Sequence, residues 1–453
     1  LLANNPAPLQ PKLFSNKQLL TLILPLVIER ILNVSVGFAD TIMIASVGEA
    51  AVSSIALVDS INNLFLFLFS SLAAGGAVVV AQYIGQHNSA KADDAAKQLI
   101  YSTTFVALVF MATFLIFNHN ILRALYGDLD PQVMNQAQTY FALTAISYPL
   151  LGLFNSGAAL FRAMGNSRIS MRVSFVMAIT NIAGNILFIY VAKMGVLGAG
   201  IATLIARFLS AILMLFLLVK NGDPIRITNL HRIHFNWPMI RRILNIGIPN
   251  GIESGIFHIG KILVLSLIAT FGTTAIAANA IANALSSVTN IPGGAMGTAT
   301  LTVVGQSMGA GEVDQASYYA RKLMKITYIT LAILATTLFF STELLVGLFN
   351  LSAAATNLAV KILKLLFIMN GLLWPLAFAL PQVLRASGDV RFTMTVSIAS
   401  MWIFRIGFSY LLGRHFGLGL QGIWIAMYID WVCRATCFVI RFLKGTWKEK
   451  TVI

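Results

Sequence analysis

Long apolar runs alternate with short polar breaks along almost the whole chain. Runs near 18–45, 50–80, 98–118, 136–160, 168–192 and 197–219 each reach the roughly 20 apolar residues that a bilayer-crossing helix needs. A polar, basic stretch from Lys220 to Arg242 follows. A second set of runs then lies near 243–271, 276–305, 322–342, 358–382, 392–413 and 422–443. The pattern predicts an all-α integral membrane protein of about 12 transmembrane helices.

The two sets repeat one another. Leu24-Pro25 and Ile248-Pro249 begin similar spans, with Glu29 and Glu253 at matching places and Gly48 and Gly272 ending them. Val80-Ala81-Gln82 with Gly85 matches Val304-Gly305-Gln306 with Gly309. Phe161-Arg-Ala-Met-Gly-Asn-Ser-Arg168 with Met171 matches Leu384-Arg-Ala-Ser-Gly-Asp-Val-Arg391 with Met394. Gly195 and Gly200-Ile201 match Gly417 and Gly422-Ile423. A shared offset across ordered matches means duplication. The expected organisation is an amino-terminal lobe over 1–219, a cytoplasmic linker over 220–242 and a carboxy-terminal lobe over 243–453. An even number of spans per lobe makes the lobes parallel repeats, related by a pseudo-twofold axis along the membrane normal. The cleft between such lobes is a natural substrate path.

Composition agrees. Of 453 residues, 58% are hydrophobic and 10% charged, against about 25% charged in soluble domains. The net charge of +15 would suggest nucleic acid in a soluble protein. Here the basic residues flank apolar runs and read as topology signals. Alternate loops hold Lys91 and Lys97, then Arg162, Arg168 and Arg172, then Arg226, Arg232, Arg241 and Arg242. Arg321, Lys322, Arg385, Arg391 and the tail residues Arg441, Lys444, Lys448 and Lys450 fall on the same side. The positive-inside rule puts both termini in the cytoplasm. Residues 1–15 lack a signal-peptide pattern, so the first span is expected to direct insertion. Cys433 and Cys437 read as small packing residues, with no disulfide framework or metal site implied.

Ionisable residues within spans are the first candidates for function. Asp40, in the first span, can exchange a proton or help to hold a sodium ion. It reads equally as a surface-facing acid at a helix end. Asn181 and Asn185 lie at i, i+4 on one face of the fifth span, and they read as ligands or as interhelical hydrogen-bonding groups. Glu253, with His258 and Lys261 further along its helix, reads equally as a titrating group or a structural one. Glu29, beside Arg30, leans toward a structural pair. Asp59 can attract cationic substrate or act as a capping or pairing group, and Asn155 is a further polar neighbour of the path. Asp430 and Arg434, at i, i+4, are expected to neutralise one another; Arg405 and Arg207 are expected to snorkel or pair. Phe65, Phe67 and Phe69 spread around their helix and need not form one stripe. The chain contains no G-x-x-x-x-G-K-[ST] loop, no H-E-x-x-H motif and no evident catalytic set. No enzyme activity and no cofactor are therefore expected.

The segment Gly37-Phe-Ala-Asp40-Thr-Ile-Met43, the two Arg-Ala-x-Gly-x-x-Arg-x-x-Met motifs and the Gln82/Gly85 and Gln306/Gly309 loops resemble the MATE (multidrug and toxic compound extrusion) transporters. The resemblance covers nearly the whole chain. It implies two six-helix lobes, alternating access and antiport driven by H+ or Na+. It also implies that Asp40, Asn181, Asn185 and Thr203 occupy an amino-lobe cation site, with Asp40 as the main coupling residue. Some members carry a second acid where this chain has Asn185. The carboxy-lobe acids of one branch of the family are replaced here by Phe257 and by Trp374-Pro375.

The function expected is cation-driven export of amphiphilic or cationic organic compounds by a monomer, with no nucleic acid partner. A bacterial inner membrane suits the compact termini. The alternative is a flippase for lipid-linked precursors, whose cleft should be more basic than Asp40, Asp59 and Glu253 would make it.

Overall fold

The apolar runs become helices because only internally hydrogen-bonded backbone is tolerated in hydrocarbon. The computed structural model describes residues 12–127, 129–220, 225, 227, 234–349, 351–450 and 452–453. The expected linker falls largely outside them, as do residues 1–11. In chain order the first repeat comprises α1 (Asn16–Ala45), α2 (Glu49–Gly85), α3 (Ser89–Ile116), the short α4 (Asn118–Tyr126), α5 (Pro131–Ile146), α6 (Tyr148–Ala163), α7 (Ser167–Asn185) and α8 (Gly195–Lys220). The second comprises α9 (Trp237–Ala269), α10 (Thr273–Thr289), α11 (Ile291–Gly309), α12 (Val313–Phe340), the short α13 (Thr342–Gly347), α14 (Ala353–Leu372), α15 (Leu380–Ala386), α16 (Val390–Ser400) and α17 (Gly419–Lys444).

Among the described residues, ten helices are long and apolar enough to cross a membrane. An eleventh span is the pair α5–α6, bent by 44° at Ser147. Pro149 explains the bend, since it cannot donate to the carbonyl four residues back. The remaining expected span is interrupted at Asn290, two residues before Pro292, and forms α10 and α11. The fourth span of the second repeat also breaks at a proline, with a π-helical turn over Pro375–Ala379 between α14 and α15. Both fifth spans change from α to π hydrogen bonding, at Ile186–Val191 after α7 and at Met401–Gly407 after α16. Such turns often mark functional positions. Pro25 and Pro249 lie inside α1 and α9 without ending them.

Packing divides the chain into two units. The amino-terminal unit is Asn16–Gly251 and the carboxy-terminal unit is Ile252–Val452 together with residues 12–15. The divide falls inside α9, later than the 220–242 linker. The first half of α9 reaches α2 closely: a Cβ on Gly75 would lie 2.5 Å from the Gly247 backbone nitrogen. Before α1, the Leu13 amide donates to Gln315 Oε1 at 2.9 Å and the Phe14 amide to the Tyr319 hydroxyl at 2.8 Å.

The repeated Arg-Ala-x-Gly motifs have one structural reason in both units. Gly165 (φ +80°) and Gly388 (φ +97°) make left-handed turns that side chains resist. The arginine before each turn reaches the matching glutamate. Arg162 lies 3.3 Å from Glu29 and Arg385 lies 2.6 Å from Glu253. Glu29 therefore pairs across the unit with Arg162. Apolar side chains face outward, as in Phe340 and Ile116, 81% and 72% exposed. A soluble protein could not carry such a surface, but lipid can cover it. Phe65 and Phe69 point inward and pack with Phe114 and Tyr148, while Phe67 is exposed.

Candidate functional site

In the amino-terminal unit, α7 and α8 approach closely because Gly184 offers no side chain. A Cβ there would meet that of Ala202 at 2.9 Å. The approach puts Asn181 of α7 beside Thr203 of α8, with the Asn181 amide donating to the Thr203 hydroxyl at 3.4 Å. One turn along, at the last residue before the π turn, Asn185 donates to Asp40 Oδ1 at 2.7 Å and to Asn181 Oδ1 at 3.4 Å. The four residues Asp40, Asn181, Asn185 and Thr203 thus form one hydrogen-bonded chain across α1, α7 and α8. Asn181 and Asn185 are buried. The amide oxygen of Asn185 is buried and accepts no hydrogen bond among the described residues. A carboxylate, amide oxygens and a hydroxyl form an oxygen-rich group of the kind hard cations take.

Asp59 of α2 belongs to a neighbouring group. It accepts hydrogen bonds from Asn62 at 3.2 Å and from Tyr140 at 3.4 Å, and Tyr148 donates to Asn62 at 2.8 Å. Arg207 of α8 donates to Ser147, the residue at the α5–α6 bend, at 2.6 Å. Asp59 and Arg207 both act on Asp40 electrostatically. Asn155 on α6 has a buried amide nitrogen without a hydrogen-bond partner among the described residues. Glu253 does not join this set. It lies in the carboxy-terminal unit, in its ion pair with Arg385.

The carboxy-terminal unit has a polar cluster of its own. Asp430 is fully buried and takes Arg434 at 2.8 Å, as the i, i+4 spacing predicts, but Arg405 also approaches it, at 3.9 Å. The Ser400 hydroxyl donates to the same carboxylate. Three cations surround the ring of Phe257, with Lys261, Arg405 and Arg434 at 5.4, 5.2 and 5.4 Å from its centre. Sequence reading counted Phe257 as a missing acid and did not find these cations around it. The signal available was thin, since α9, the π turn after α16 and α17 meet only through tertiary packing.

The MatE family profile matches residues 25–187 and again 249–411, one match per repeat. The "Uncharacterized transporter YisQ" of Bacillus subtilis is 28% identical over 443 residues, covering 95% of each chain. The "Probable multidrug resistance protein NorM" of Thermotoga maritima is 23% identical over 446 residues, covering 96% of this chain and 94% of its own. Among solved structures, a multidrug resistance MATE family transporter in an outward-facing conformation superposes with a TM-score of 0.89 at 20% identity, over 96% of this chain and 97% of that one. A MATE structure described as bent gives 0.86, also at 20% identity, over 95% and 94%. With the family profile matched twice along the repeated helices, the chain belongs to the MatE family, and it is an integral membrane transporter, not an enzyme.

Proposed function

We propose that this protein exports amphiphilic organic compounds, cationic ones among them, in exchange for H+ or Na+ bound at Asp40. The observation that carries the reading is the Asp40–Asn185 contact at 2.7 Å beside an Asn185 oxygen left without a partner. A proton on Asp40 or a sodium ion among these oxygens would change how α1, α7 and α8 hold one another. Binding of one ion can shift a conformational equilibrium only through such a differential interaction. Asn181 and Thr203 complete the site, and Asp59 and Asn155 line the substrate path. Glu253 acts through its pair with Arg385. The protein works as a monomer with both termini in the cytoplasm, in an inner membrane such as its bacterial relatives suggest.

The test is dye efflux from proteoliposomes carrying wild type or Asp40→Asn, with a proton or a sodium gradient imposed separately. Wild-type efflux on one gradient, lost in the variant, identifies the coupling ion and supports the reading. Normal transport by Asp40→Asn overturns it. The flippase alternative draws support from the basic cluster around Phe257, and it predicts that neither gradient moves the dye.

A further inference from the structure

A cavity of about 310 Å³ lies in the carboxy-terminal unit, among α9, α10, the π turn after α16, and α17. Its size falls at the small end of organic-ligand sites. Arg405 and Lys261 line it, and none of its described lining residues is acidic. Val264, Ile423 and Trp424 supply apolar wall.

We propose that this cavity binds the anionic head of an amphiphilic organic molecule, with Arg405 and Lys261 as its charge partners and Trp424 and Val264 against its apolar body. Asp430 cannot neutralise the cluster. One carboxylate serves two guanidiniums, and it lies 2.8 Å from Arg434 but 3.9 Å from Arg405. The Nη1 group of Arg405 is buried and has no hydrogen-bond partner among the described residues. A buried donor left unmade costs about 1–3 kcal/mol, more when charged. Excess positive charge inside membrane-spanning helices is expensive unless something compensates it. The Phe257 ring does so in part, because its face attracts all three cations. A carboxylate, sulfonate or phosphate would do so fully, since a guanidinium matches planar or tetrahedral oxyanions with paired N–H donors. Trp424 is fixed against the cavity, its indole N–H donating to Asn279 Oδ1 at 3.2 Å.

The same chemistry serves a water-soluble organic anion or the phosphate of a lipid headgroup. The proposal does not rest on coupling at Asp40, because binding needs no gradient. The test uses the full chain in phosphatidylcholine nanodiscs and equilibrium dialysis of 1-naphthalenesulfonate, with 1-naphthylmethylammonium as the cationic counterpart. The sulfonate should bind saturably and the ammonium should not compete. Lys261→Gln should weaken binding about tenfold, Lys261→Arg should retain it, and Lys364→Gln, which removes a surface charge, should leave it unchanged. Arg405→Gln should weaken it further; should that variant fail to fold, Lys261→Gln decides alone. Added phosphatidylglycerol that displaces the probe from wild type identifies a lipid headgroup as occupant, and no displacement identifies a soluble anion. Equal binding of the two probes, or sulfonate binding unchanged in Lys261→Gln and Arg405→Gln, overturns the proposal.

Discussion

The two units share a frame and differ in charge. Each repeat has a proline inside its first helix, a break in its fourth span, a π turn in its fifth and a Glu–Arg pair set by the same motif. Within that frame the amino-terminal unit gathers an acid, two amides and a hydroxyl around Asp40. The carboxy-terminal unit gathers three cations around one aromatic ring and one buried acid. Duplication has kept what holds the helices together and let the interior polar groups diverge in sign. A repeat therefore transfers structural roles from one half to the other more safely than it transfers ligands.

Five substitutions test that contrast. Asp430→Asn should have the largest effect, destabilising the protein by about 3–5 kcal/mol, because it leaves two buried guanidiniums without their carboxylate; thermal unfolding in detergent reads it. Asp40→Asn should leave the melting temperature within a few degrees yet reduce gradient-driven efflux about a hundredfold, the span of a coupling free energy. If Asp40→Asn instead unfolds the protein as Asp430→Asn does, both clusters are structural and the contrast collapses. Glu29→Gln and Glu253→Gln should each cost about 1–2 kcal/mol, and by similar amounts, since each breaks the same pair in its own unit. Unequal costs would mean that the repeat does not set these pairs. Lys364→Gln should change the melting temperature least. Its partner Glu343 lies on the exposed α13, and although the Lys364 hydrogen bond holds the Glu343 carboxyl below its usual range, exposed pairs contribute little.

The spans, the duplication and the Arg-Ala-x-Gly turns were legible in the residues because each depends on local chemistry: apolar length, proline, a glycine with positive φ. The Asp40 group was legible through the family resemblance, and its i, i+4 asparagines fall on one face as the spacing requires. Glu29 beside Arg30 was misleading, because neighbours in sequence point to different sides of a helix, and the true partner lies across the unit on α6. The Lys261, Arg405 and Arg434 cluster escaped notice for a related reason. Its members sit on three helices, and nothing local marks them as meeting over Phe257. Interrupted spans were also hard to foresee, since Pro25 sits within a continuous helix while Pro149 accompanies a bend.

The position of the divide within α9 bears on how the chain can be cut. Residues 12–15 belong with the second repeat, and residues 237–251 belong with the first. Cutting the chain between 220 and 237 would thus yield two fragments, each holding a piece native to the other.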